Sequence, residues 1–171
     1  NLGTSSIKQG KKNLSSVLKA ANVIILNKDE ASMLTGIDVR PDTKEEKLSQ
    51  ELIHPDVIKM LKEINSKKSK ITIITDGKHG VYAYDGKTFY QCCEFPAKVV
   101  STLGAGDAFS STFVASLEKT QGDIKKSLQY ASIAAASVVE KYGAQSGFIP
   151  FEEIENRLQE TPDFKVCTCS K

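Results

Sequence analysis

The sequence carries no surplus of charge. Its 171 residues include 23 basic and 21 acidic side chains, a net of +2, so no face is built for nucleic acid or for an anionic membrane. No apolar run is long enough to cross a bilayer and no signal-peptide pattern is present, so a cytoplasmic location is expected. Material for disulfide or zinc chemistry is also short. The four cysteines fall as Cys92-Cys93 and Cys167-x-Cys169; adjacent cysteines rarely bridge, and a C-x-C pair without nearby histidine is a poor zinc site. They read as reduced thiols. Internal repeats and low-complexity segments are lacking too. What is there, 40% apolar residues on a chain of one-domain length, is enough for a real core.

Apolar runs and turn signals alternate. Leu2–Ser6 reads as a polar turn or the tail of a strand, and Leu14, Val17, Leu18 and Ala21 give 7–21 a helical spacing. Val23–Leu26 is wholly apolar, as in a strand buried on both faces of a parallel sheet. Asn27-Lys28-Asp29-Glu30 hands it over to a helix closed by Gly36. Residues 38–55 read as a solvated loop with a short helix, the charge run 44–47 as a wet face and His54 as solvated. Asp56 serves as N-cap of a helix to Asn65, with Val57, Leu61 and Ile64 on one side. A second apolar strand, Ile71–Ile74, ends in Thr75-Asp76-Gly77-Lys78-His79-Gly80. Asp85-Gly86 is a hairpin signal between 81–84 and 88–92. Tyr82, Tyr84, Phe89 and Tyr90 in that hairpin pack on the sheet edge or flank a ligand; the sequence does not decide. A long alanine-rich helix is expected from Ile124 to about Tyr142, a last one over Phe151–Leu158, and a frayed tail after it. Alternating strands and helices make the class α/β.

The stretch Val99–Leu117 holds the chemistry. Val99 and Val100 are expected to end a strand, Gly104-Ala105-Gly106 to form a small-residue turn, and the run through Leu117 to form a helix, with Phe109, Phe113 and Leu117 on its core face. The first turn of a helix leaves amide donors without partners, and those donors with the dipole make an anion site. Asp107 falls inside that turn. A carboxylate there is either a helix starter or a general base beside whatever the amides hold. Two other phosphate motifs are excluded, because Phe109 stands where the dinucleotide fingerprint needs its third glycine and no Gly-Lys-Ser/Thr is present. In a parallel α/β sheet the loops after strand carboxyl ends open on one edge. Asn27, Glu30, Thr75, the glycine turns and Asp107 are then neighbours, a set suited to phosphate with a divalent cation. Taken singly, Asn-x-x-Glu is a helix start, Thr-x-Gly a turn, Lys78 a common loop lysine or a phosphate contact, and His79 an exposed loop histidine.

Asn27-x-x-Glu30, Thr75-x-Gly77-x-x-Gly80 and Ser101-Thr102-Leu103-Gly104-Ala105-Gly106-Asp107, in this order and followed by Gly143-Ala144-Gln145-Ser146 and Pro150, resemble the ribokinase family of carbohydrate and nucleoside kinases. The resemblance runs over nearly the whole chain. It implies a three-layer α/β/α fold with a mainly parallel sheet, of which residues 1–171 form a single nucleotide-binding, C-terminal portion. The N-terminal sugar-binding half and the lid are missing from this sequence, and Asn1-Leu2-Gly3-Thr4 looks like the strand end just past the middle of the family fold. On this reading the 171 residues alone are expected to be inactive.

By the same resemblance Asp107 accepts the proton of the attacking hydroxyl, and the amides of Gly104, Ala105 and Gly106 form the anion hole. Glu30 organises magnesium through water, and Asn27 reaches the phosphates of ATP. Thr75, Asp76, Gly77, Lys78 and Gly80 wrap the nucleotide. Ser132 falls where ribokinases contact adenine through a longer side chain, which leaves base recognition to apolar packing. Many members carry aspartate where Ser101 stands, and that aspartate helps hold a monovalent cation; some phosphosugar kinases carry Ser-Thr, so a potassium requirement is left open. A sugar or nucleoside substrate and a homodimer of the full-length protein complete what the resemblance implies. Two alternatives remain at this point: a non-catalytic nucleotide-binding or regulatory module of the same fold, and an unrelated doubly wound phosphate binder.

Overall fold

Two apolar segments set the frame. Strand β1 (Val23–Asn27) and strand β2 (Ile71–Thr75) pair in parallel, in a register that ends on Asn27 opposite Thr75. The computed structural model describes residues 2–8, 11–39, 53–65 and 70–170, and these form two compact units. The first takes residues 1–76, 82–91 and 167–171; the second takes 77–81 and 92–166.

In the first unit helix α1 (Gly3–Lys8) and helix α2 (Lys11–Ala20) precede β1. Residues 3–6, expected as a turn, are thus helical, and the helix expected over 7–21 is two. Helix α3 (Lys28–Thr35) follows β1 directly and ends at Gly36, and helix α4 (Pro55–Asn65) leads towards β2. The apolar positions of α4 repeat at helical spacing, so Val57, Leu61 and Ile64 are buried in a cluster with Leu26, Leu34 and Ile74. Asp56 is not the N-cap: it stands inside the first turn of α4, and its amide donates to Nδ1 of His54 at 3.1 Å. His54 is accordingly drawn in, with its side chain only 12% exposed, against the expectation of a solvated ring. The loop and charge run expected over 40–52 lie outside the described residues.

Strands β3 (Val81–Tyr84) and β4 (Thr88–Cys92) form the expected hairpin. Asp85 shapes its turn by accepting from the amides of Lys87 (2.8 Å) and Thr88 (2.7 Å) and from the hydroxyl of Tyr90 (2.8 Å). Burial raises the pKa of this carboxyl, but those hydrogen bonds outweigh it and hold the group below its ordinary value. Phe89 is fully buried and stacks on Tyr84 at 4.2 Å, so these aromatics pack the sheet. A fifth strand, β5 (Val166–Ser170), lies next to β4, giving the order β1-β2-β3-β4-β5. The expected frayed tail is therefore part of the sheet. The fold is α/β and ribokinase-like, with a sheet that is mixed beyond the parallel β1–β2 pair rather than mainly parallel.

The second unit is helical: α5 (Ala105–Lys119), α6 (Ile124–Val139) and α7 (Phe151–Glu160). Helix α6 stops at Val139, three residues short of the expected end near Tyr142. Its small residues Ala131 and Ala134 are buried, which allows a helix to pack close against it. Asp123 caps α6 through the amide of Lys126 at 3.0 Å. Tyr130 is fully buried on α6, and its hydroxyl donates to Glu155 of α7 at 2.8 Å. Burial, then the hydrogen bond and the charge of Glu155, push the phenol up to about 12. Among the described residues no helix is long and apolar enough to cross a membrane.

Candidate functional site

In the first unit, the register of β1 and β2 sets Asn27 and Thr75 side by side at the carboxyl ends of two parallel strands, the edge on which α/β sheets bind ligands. Asn27 is the N-cap of α3. Its Oδ1 accepts from the amide of Glu30 at 2.8 Å, and Oε2 of Glu30 accepts from the amide of Asn27 at 3.0 Å. The pair is a capping box, so the helix-start role of Asn-x-x-Glu is realised in full. Oε1 of Glu30 also accepts from the hydroxyl of Thr4 at 3.3 Å, and the residue is 6% exposed. Asp76 does not stand free: both its carboxylate oxygens lie against Nζ of Lys28, at 2.6 and 2.7 Å. Lys28 therefore ties the two strand ends together. In the sequence Lys28 is one member of the Asn27-x-x-Glu30 motif, and its one signal is a cation at the first position of a helix, where the dipole disfavours it.

The rest of the glycine turn belongs to the second unit. Gly77–His79 is one 3₁₀ turn, closed by the amide of Gly80 donating to Gly77 at 3.0 Å, with Lys78 and His79 exposed. Gly80 has φ +87°, and a Cβ there would run into the carbonyl oxygen of Cys92, so only glycine fits. The Sγ of Cys92 in turn lies 3.7 Å from Oγ of Ser132, both buried. Ser132 thus faces a thiol inside the unit.

Val99 and Val100 do not end a strand. They are exposed, and the amides of Val100 and Ser101 both donate to the carbonyl of Val139. Val100 and Ser101 are held on the end of α6 by these bonds instead of pairing in a sheet, so two β-branched residues are not enough to form a strand here. Gly104 then turns the chain with φ +86°. A Cβ at this residue would sit 2.7 Å from the carbonyl oxygen of Ala144 and 2.9 Å from its Cα. The Gly104 turn and the Gly143–Gly147 loop are thereby packed on each other.

Helix α5 starts immediately afterwards, with the amide of Ala108 donating to Gly104 at 2.9 Å. Gly104 offers no side-chain cap, in contrast to the capped starts of α3 and α6. The amide of Ala105 reaches Thr102 at 3.3 Å; those of Gly106 and Asp107 have no acceptor within their own helix. Gly106 and the Asp107 side chain are exposed, while Ala108, Phe109 and Phe113 are buried beneath them. The first turn of α5 thus presents amides and a carboxylate to solvent from a helix anchored by its opposite face. Leu117 is only half-buried.

Among the described residues no group of three or more His, Cys, Asp or Glu side chains could hold a metal ion, and the four cysteines are free thiols. Glu30 is a lone carboxylate with two hydrogen bonds already accepted and lone pairs to spare. That fits magnesium bound through its waters and a nucleotide's phosphates, and does not fit an all-protein cage.

Comparison with known proteins bears on the family and the fold. The family model described as pfkB family carbohydrate kinase matches residues 2–151. A ribokinase of Lactococcus lactis subsp. lactis is 37% identical over 100 residues, covering 58% of this chain and 33% of the relative. A 5-dehydro-2-deoxygluconokinase of Clostridium botulinum is 33% identical over 94 residues, covering 54% of this chain and 27% of the relative. The chain thus spans about a third of the length of these curated relatives. Among solved structures, the ribokinase of Arabidopsis thaliana complexed with ribose and ATP superposes with a TM-score of 0.69 at 23% identity, over 85% of this chain and 43% of that one. That match speaks for the fold.

Proposed function

The chain belongs to the pfkB family of carbohydrate kinases, and on that premise we propose that it serves the ATP-dependent transfer of a phosphoryl group to a hydroxyl of a sugar or nucleoside. One observation carries the reading: α5 begins without a side-chain cap, with the exposed carboxylate of Asp107 in its first turn. Phosphoryl transfer asks a protein mostly for positioning and for neutralising charge. The amides of Gly104, Ala105 and Gly106 serve the second need, because a helix start favours negative charge. Asp107 serves as general base and accepts the proton of the attacking hydroxyl, and the buried face of α5 keeps it in place. ATP supplies the phosphoryl group, and magnesium, held through water by Glu30, spreads the charge on its oxygens. Asn27 reaches towards the phosphates from the start of α3. Thr75, Asp76, Gly77, Lys78 and Gly80 border the nucleotide. Ser132 is too short to reach adenine as the longer side chain of ribokinases does, so on this reading the base is gripped by apolar packing.

The test is turnover by the full-length protein with ATP and a panel of sugars that includes ribose and 5-dehydro-2-deoxygluconate, for wild type and Asp107→Asn. A positioned base contributes ~10²–10⁴-fold, so kcat is expected to fall by that factor while ATP binding persists. Unchanged turnover in Asp107→Asn overturns the assignment of the base. ATP binding by wild type without turnover on any acceptor overturns the kinase reading in favour of a regulatory module.

A further inference from the structure

We propose that Lys28 is a positioning residue for nucleotide phosphates, acting by cancelling the charge of Asp76 at the paired ends of β1 and β2. This rests on the nucleotide-binding reading given above. Asp76 places a carboxylate directly after the strand end that faces Asn27, on the edge where the anionic ligand is to be held. Left alone it would repel a triphosphate. Its side chain is 14% exposed, so water screens it poorly, and one ammonium engages both its oxygens within 2.7 Å. Lys28 occupies the first position of α3, where a cation works against the helix dipole; the helix gains nothing from it. The ion pair gives the lysine its reason to be there. The capping box leaves Asn27 and Glu30 joined to each other, so among these four residues Lys28 carries the one positive charge.

The consequence is a pattern of opposite signs. Like charges a few ångströms apart near a protein surface change an affinity by roughly ten-fold. Titration of ATP, ADP, AMP and adenosine into the full-length protein compares wild type, Lys28→Met, Asp76→Asn and the double variant, with thermal unfolding measured alongside. Lys28→Met is expected to weaken ATP roughly ten-fold, ADP less, and adenosine not at all. Asp76→Asn is expected to bind ATP at least as tightly as wild type. The double variant returns ATP affinity to near the wild-type value. A structural strut would lower ATP and adenosine affinity alike in both single variants, and that result overturns the proposal. A double variant as weak as Lys28→Met overturns it too, since it would make Lys28 a direct phosphate ligand. Absence of nucleotide binding by wild type overturns the nucleotide reading and this inference together, which sets that failure apart from the other two.

Discussion

Replacing Gly104 by alanine is the sharpest perturbation of the candidate site's scaffold. Alanine at φ +86° takes on the left-handed penalty of an L-residue, about 1–2 kcal/mol. Its Cβ would also press on the carbonyl oxygen and Cα of Ala144 at 2.7 and 2.9 Å. These are backbone atoms and cannot rotate away, so overpacking adds about 1–3 kcal/mol. A stiffer unfolded chain returns about 0.4–1 kcal/mol. The net loss is about 1–5 kcal/mol, and it falls on the contact between the Gly104 turn and the Gly143–Gly147 loop. Gly106 is the internal control. It lies in the helix, and a Cβ there meets nothing within 4 Å, so Gly106→Ala should change stability by less than about 1 kcal/mol, in the stabilising direction. Urea unfolding of the full-length variants reads the first quantity. Amide exchange over 104–108 and 143–147 localises it, because local opening exposes those amides first. An unchanged midpoint for Gly104→Ala, or greater damage from Gly106→Ala, refutes the reasoning.

Two further outcomes follow from the hydrogen bonding. Asn27→Ala removes the cap on the Glu30 amide and should cost about 1 kcal/mol in urea unfolding, while Asn27→Asp keeps the acceptor and most of the stability; equal stability of the two variants would contradict the capping box. The Tyr130 phenol, pushed up to about 12, holds its proton in the folded state above the pH near 10 at which the unfolded chain releases it. The stability this represents is fully present below pH 10 and is lost as pH rises towards 12, by about 2–3 kcal/mol. Unfolding series at pH 9 to 12 should show that slope in wild type, and Tyr130→Phe should flatten it.

Local chemistry made much of this molecule legible in advance. Val23–Leu26 and Ile71–Ile74 are apolar enough to be buried strands, Asp85-Gly86 turns a hairpin, and Gly104-Ala105-Gly106 opens a helix with Asp107 in its first turn; each appears where its residues place it. Several of the misreadings share a cause, which is partners distant in sequence. Val166–Ser170 carries β-branched Val166 and Thr168 at every second position, yet nothing nearby shows that β4 waits for it. Val99 and Val100 look like a strand until the carbonyl of Val139 takes their amides. Lys28 and Asp76 become a pair only once two strands run side by side. Of the candidate site, the capping box was readable as a motif, whereas the need for glycine at 104 rests on Ala144, which no spacing rule connects to it.

The order of the sheet bears on how the protein is made. The flank of β4 is covered by β5, and helices α5, α6 and α7 are all encoded between them. A ribosome delivering this chain from its amino end leaves β4 with a bare row of backbone donors and acceptors while α5, α6 and α7 emerge. Such a rim is a template for any other extended chain, and long-range pairing of this kind closes late and slowly. Synthesis therefore has a vulnerable interval that ends only when Val166–Ser170 arrives to seal the rim.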